Sequence, residues 1–218
     1  MYLDNNWYGD RYILSKYCKV KDKPAFASIQ HGHLTIKNYK SDIPLGTRKL
    51  TMTPWLVWND KISNFAKKKN VKNVISIGSV LLYLEKIISN SNKIKSKGTL
   101  VFPFLSHPEE KMINDYDKIV SLLKKKFPPP YTISVSTHDL KSINKIYKGV
   151  KFRSFGYRGN KYYLKKLYLE IQKHSDIICT YPGSPFMYSM YLKKKIFLSK
   201  SNFLKNLSNK KKNKLDYT

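Results

Sequence analysis

Apolar and polar positions alternate along this chain in two rhythms, short β-branched runs and longer amphipathic stretches. Ala25–Gln30 (AFASIQ) is a short apolar run that ends at His31-Gly32-His33. Trp55–Trp58 follows Pro54, and Asp60 reads as the N-cap of a helix over Lys61–Lys69. Val74–Ile77 is β-branched and stops at Gly78-Ser79, which opens an apolar helix to about Ile88. Ser89–Gly98 (SNSNKIKSKG) is polar, lysine-rich and linker-like.

The second half repeats the alternation. Thr99–Leu105 reads as a strand that turns at Ser106-His107-Pro108. A helix follows from Glu109 to Phe127, acidic in its first turn and lysine-rich in its last, until Pro128–Pro130 stops it. Tyr131–Ser136 reads as a strand, and a helix starting at Thr137, His138 and Asp139 runs to about Tyr147. Asp139 is expected to be its N-cap, with an acid catalyst as the alternative reading. Lys151–Phe155 is a short strand, Asn160–His174 an amphipathic helix, and Ile177–Thr180 a buried strand. Pro182-Gly183-Ser184 leads into a helix over Pro185–Lys194, and Ile196–Leu198 is a last short strand. Strands separated by helices in this way predict βαβ units and mostly parallel sheets. The polar break divides the series into a first lobe over residues 1–97, a second over 98–199, and a basic tail over 200–218.

Composition sharpens the picture. A chain of 218 residues is one or two domains and long enough to bury a core. At 41% hydrophobic and 14% aromatic it is not globally disordered, despite a net charge of +28. That charge points toward nucleic acid or an anionic surface. Yet its arginines are Arg11, Arg48, Arg153 and Arg158 alone, and lysine supplies the rest. Bidentate readers of phosphates and bases favour arginine, so the lysine excess fits an A/T-rich coding background better than a selected nucleic-acid surface. Lys67–Lys69 and Lys193–Lys195 read as solvated helix faces. Cys18 and Cys179 make no disulfide framework and no Cys/His metal spacing, which suits a reducing cytoplasm. The first residues, MYLDNNWYGDRY, have no basic and apolar regions of a signal peptide. The longest uncharged apolar stretch, Asn73–Leu84, is about half the ~20 residues of a membrane-spanning helix.

The candidate chemistry collects at strand ends, where open α/β sheets bind ligands. Gly183-Ser184 opens a helix, and free N–H groups there suit a phosphate; the same pair also reads as an ordinary serine cap after a glycine turn. His31 follows a strand and is placed to act as a general base or phosphate donor, or simply to bond the loop backbone. His107 precedes Pro108, a residue suited to the first helical position. Gly78-Ser79 repeats the strand, glycine-serine, helix arrangement. Walker A, GxGxxG and GxSxG patterns are absent from the sequence.

Taken in order, QHG (Gln30–Gly32), PWLVWND (Pro54–Asp60), NVISIGSVLLYL (Asn73–Leu84), LVFPFLSHP (Leu100–Pro108) and SDIICTYPGSPFMYSMYLKKKIFL (Ser175–Leu198) resemble the bacterial GT-B-type glycosyltransferases of surface and capsular polysaccharide synthesis. The likeness is to the CDP-glycerol glycerophosphotransferase, sialyltransferase and polysialyltransferase-like groups. It implies two Rossmann-like lobes, the first an acceptor lobe and the second a nucleotide-donor lobe. Because the chain starts close to the His-Gly strand, the first lobe is expected to be incomplete and the chain truncated relative to that family. By the resemblance His31 is the catalytic base, and Ser106, His107, Thr180, Gly183 and Ser184 hold the donor phosphate or nucleotide. Gly78 and Ser79 lie at the lobe interface. The implied activity is metal-independent transfer of a sugar or sugar-like unit from a nucleotide-activated donor to a surface polysaccharide or lipid-linked glycan. It requires no cofactor beyond that substrate, and it takes place in the cytoplasm or peripherally at the anionic inner face of the cell membrane. The family pattern departs at Lys193–Lys195, where a glycine is expected. Two other classes compete: a basic α/β nucleic-acid-binding domain without catalysis, and a catalytically degenerate fragment.

Overall fold

Parallel pairing runs through both sheets of the computed structural model, which describes residues 7–20, 27–30, 54–88, 95–103, 115–143 and 145–198. The chain divides into two units. The first comprises Met1–Lys93 with Gly156–Tyr168, and the second Ile94–Phe155 with Leu169–Thr218.

In the first unit a three-stranded parallel sheet has the order β1 (Ser28–Ile29), β2 (Trp55–Val57), β3 (Val74–Ser76). The central strand β2 buries Trp55 and Val57. They pack with Val74 and with Ile62 and Ala66 of helix α2 (Asp60–Lys68), two residues one helical turn apart on the apolar face. The N-cap of α2 is Asn59, whose Oδ1 accepts from the Ile62 N–H at 3.0 Å; the expected cap, Asp60, is the first helical residue instead. Helix α1 (Asp10–Tyr17) was not legible as a helix in the sequence, since its mixed composition carries little apolar periodicity. It packs on α3 (Val80–Ile88), with the Tyr17 and Tyr83 rings edge to face at 4.8 Å. The returning segment is held by Tyr8 against Tyr163 and Tyr12 against Tyr162, at centroid separations of 5.2 and 5.7 Å.

The second unit has five strands: β4 (Thr99–Phe102), β5 (Tyr131–Ser134), β6 (Val150–Arg153), β7 (Asp176–Cys179) and β8 (Lys195–Leu198). Their spatial order is β6-β5-β4-β7-β8, all parallel. Every residue of β4, β5 and β7 is buried, whereas the edge strands β6 and β8 are partly exposed, as expected of a sheet covered on both faces. On one face Val101, Tyr131, Ile133 and Ile178 pack against Tyr116, Val120 and Leu123 of α4 (Tyr116–Lys126). On the other, the end of α6 (Tyr163–Lys173) crosses β5 and β6. There His174, just past its end, bonds Thr132 at 3.0 Å, and Arg153 meets Glu170 at 2.6 Å. Helices α5 (Thr137–Ser142) and α7 (Ser184–Tyr191) complete the connections.

Three local expectations change. Helix α4 is capped by Asp115, whose Oδ1 accepts from Lys118, so its described part starts later than Glu109; Glu109 and Glu110 lie outside the described residues. Ser136, not Asp139, caps α5, because its hydroxyl oxygen accepts from the Asp139 N–H at 2.9 Å. In the Lys193–Lys195 triplet, Lys194 turns inward and donates to the Gln172 carbonyl at 2.8 Å, while Lys193 and Lys195 remain exposed. Among the described residues, no helix is long and apolar enough to cross a membrane.

One buried charge gives a stability test. Asp10, at the first position of α1, is 4% exposed, and desolvation pushes its carboxyl up to about 8. Folding therefore takes up a proton between the unfolded value near 3.8 and about 8. The contribution to stability is fully present below the lower value and is lost as pH rises through the upper one. Asp10→Asn should flatten the stability–pH curve over this window and raise stability at pH 7 by on the order of a few kcal/mol. Denaturant unfolding at pH 5 and pH 8 checks it; a slope equal to that of the unsubstituted chain refutes the assignment.

Candidate functional site

β4 is the first strand of the second unit and also its middle one. The chain leaves β4 toward β5 and β6 on one side, then returns on the other through β7 and β8. In a doubly wound sheet this reversal opens a crevice outside the carboxyl ends of the two strands that flank it. Here those strands are β4 and β7.

Thr180 stands immediately after β7 and is buried. Its N–H donates to the Phe102 carbonyl at 3.2 Å, and its hydroxyl donates to the same oxygen at 3.4 Å. The expected phosphate ligand thus has its hydroxyl engaged in tying together the two strand ends at which the strand order reverses. Cys179, the last residue of β7, is buried, and desolvation pushes its thiol up to about 12, so it is protonated and unsuited to nucleophilic work at neutral pH.

Tyr181-Pro182-Gly183 then makes a tight turn, with the Gly183 N–H donating to the Tyr181 carbonyl at 2.9 Å. The Tyr181 ring lies over the Gly183 α-carbon, in the space a Cβ would need. Gly183 is the N-cap of α7 and offers no side-chain acceptor to the first turn; Ser184 opens the helix, and Pro185 fits the first turn because its missing N–H costs nothing there. Gly183, Ser184, Pro185 and Phe186 are all half-buried, so the start of α7 is accessible. A helix start of this kind presents backbone N–H groups and the positive end of the helix dipole to an anion.

The remaining candidates sit elsewhere. His31, Ser106 and His107 lie outside the described residues. Gln30, the residue before His31, is buried; its N–H donates to the Leu56 carbonyl and its Oε1 accepts from the Trp58 N–H at 2.9 Å, which locks the carboxyl ends of β1 and β2 together. Gly78 and Ser79 follow β3 in the first unit. Gly78 has φ 80°, a left-handed turn that favours glycine. The Ser79 Oγ accepts from the Leu81 N–H at 3.4 Å, and its carbonyl accepts from Leu82, so the pair serves the start of α3.

For one residue that the sequence singled out, burial was not foreseen. Asp139 is fully buried near the carboxyl end of β5, and among the described residues neither carboxylate oxygen has a hydrogen-bond partner. The sequence did hold the signal: Ser136 followed three residues later by an acid is a capping-box pattern. Only the serine half of the box is formed. Among the described residues, no three His, Cys, Asp or Glu side chains gather as a metal site.

Comparison with protein-family models, with curated proteins and with solved structures gives no match.

The Tyr181–Gly183 packing makes the turn testable. Gly183→Ala should cost about 1 kcal/mol by displacing the ring. In a double-mutant cycle with Tyr181→Ala, the two changes should couple by about 1 kcal/mol. Additive effects in urea unfolding would show that the ring does not dictate glycine here.

Proposed function

We propose that the second unit binds the phosphate groups of a nucleotide-activated donor in the β4/β7 crevice. In this reading the chain transfers the donor's sugar or sugar-like unit to a surface polysaccharide or lipid-linked glycan. One observation carries it: the accessible start of α7, whose N-cap Gly183 has no side chain to cap it, stands at the point where the strand order reverses. A doubly wound sheet places nucleotides at that point, and the resemblance of Leu100–Pro108 and Ser175–Leu198 to GT-B glycosyltransferases names the class of reaction.

The chemistry asks for two things. An acceptor hydroxyl attacks the anomeric carbon while the bond from that carbon to the donor phosphate breaks, so negative charge builds on the leaving phosphate. N–H groups at the start of α7 and the Ser184 hydroxyl would stabilise that charge as it forms. The acceptor's proton must also leave, and His31, the next residue after the β1–β2 lock made by Gln30, is the proposed base. Ser106 and His107, which follow β4 in the chain, complete the proposed donor set. The first unit, in the two-lobe arrangement this reading adopts, serves the acceptor.

The test is thermal unfolding of the full chain against CMP, CDP, UDP, GDP and their sugar conjugates. A ligand at 100 times its Kd adds about 2.7 kcal/mol, a shift of several degrees. One nucleotide class should stand out, and Ser184→Ala should weaken its binding about tenfold. A chain that melts cooperatively and responds to no nucleotide overturns the reading.

A further inference from the structure

A second feature of the same unit lies away from the crevice, toward the amino ends of β5 and β6. A groove of about 540 Å³ opens there, lined among others by Lys97, Thr132, Lys151, Arg153, Glu170 and Lys173. Its volume falls within the range of about 300–1,000 Å³ found for small-molecule sites.

Strand register explains both the space and the charge. Thr132 pairs with Lys151, and Ser134 with Arg153. Side chains two residues apart on a strand share a face, so β6 presents the two cations Lys151 and Arg153 on the face where Thr132 of β5 lines the groove. β6 is an edge strand, which leaves the groove accessible from the side.

The charges do not cancel. Glu170, 4% exposed at its side chain, is the groove's one carboxylate, and it is shared by Arg153 at 2.6 Å and Lys173 at 3.6 Å. Among the described residues, Lys97 and Lys151 have no carboxylate partner, and both are exposed. Four cations therefore face one anion.

The end of α6 also lines the groove, and a helix end would normally repel an anion. Its last carbonyls are already occupied. The Lys97 N–H donates to the Lys173 carbonyl at 2.8 Å, and Lys194 donates to Gln172. His174 Nδ1 lies 2.8 Å from the Glu170 carbonyl, which can only accept, so Nδ1 carries the proton. Nε2 lies 3.0 Å from the Thr132 hydroxyl, and burial holds the imidazole below its ordinary pKa, which favours the neutral ring with Nε2 accepting.

We propose that this groove is a second anion site, separate from the β4/β7 crevice, that takes a ligand bearing two phosphate groups. Four cations against one carboxylate leave an excess of three positive charges; a single phosphate, at about −1.5 to −2 near neutral pH, answers part of it, and a second phosphate group answers the rest.

The probe is inorganic pyrophosphate, followed by amide NMR shifts of the full chain at 150 mM salt. Saturable shifts should centre on Thr132, Gly149 and Lys151. Lys97→Ala/Lys151→Ala, at two exposed positions that leave the core intact, should weaken this binding at least tenfold, while Ser184→Ala leaves it unchanged. UDP, run in parallel, separates the sources of the diphosphate. Equal affinity at these amides assigns recognition to the phosphates, and tighter UDP binding assigns the remaining volume to a nucleoside; both support the site. Shifts scattered over lysines throughout the chain, or an affinity unchanged in the double variant, overturn it as general attraction to a +28 protein. Loss of pyrophosphate shifts at Thr132, Gly149 and Lys151 in Ser184→Ala would also overturn it, by showing that the two sites are one.

Discussion

The second unit depends on β4 being paired along both edges at once. Thr99, Leu100 and Val101 each face one residue of β5 and one of β7, and such a strand has no solvent side. Its residues must be apolar or internally satisfied, and they are: Thr99, fully buried, donates its hydroxyl to the Pro128 carbonyl. The approach to β4 is equally confined. Gly98 has φ 78°, its carbonyl accepts from the N–H groups of both Ser175 and Asp176, and a Cβ there would lie 2.6 Å from the Pro130 nitrogen. A residue with a side chain fits neither the turn nor the space. At the other end Thr180 closes the ladder on Phe102. The strand order reverses at β4, between its pairings with β5 and β7.

Much of this was legible in the sequence, for reasons that differ by element. Central strands announce themselves because burial on both faces demands unbroken apolar runs, as in Leu100–Phe102 and Ile177–Cys179. Helices with a strong apolar stripe, such as α2 and α4, were equally plain, although their caps were misplaced by a residue or more. A cap depends on which side chain reaches a backbone N–H, and Asn59 and Asp60 compete for that role on nearly equal terms. Helix α1 was missed because a single buried aliphatic, Ile13, anchors it, and the tyrosines that hold it meet partners about 150 residues away. Contacts of that range leave no local periodicity.

The site was read unevenly for a similar reason. Gly183-Ser184 at a strand end is a local signal, and α7 does begin there, directly after β7. The buried carboxylate of Asp139 is local in pattern but not in environment, since nothing about one aspartate in a helix announces complete burial. The cationic groove was invisible, because it arises from cross-strand register between β5 and β6 and from the end of a helix in a different part of the chain. Net charge alone spoke of a diffuse field, whereas the structure gathers a few of its lysines around one shared glutamate.

The division of the chain carries a consequence for its synthesis. The first unit takes its last piece, Gly156–Tyr168, from beyond β4, β5 and β6. A ribosome adding about 5–20 residues each second delivers Tyr168 roughly 4–15 s after Lys93. Over that interval the early sheet waits without Tyr162 and Tyr163, the residues that cover Tyr12 and Tyr8. The second unit, for its part, lacks β7 and β8 until still later. The first unit is therefore complete only after three strands of the second have been made, and a nascent chain halted before Gly156 leaves Tyr8 and Tyr12 without the rings of Tyr163 and Tyr162.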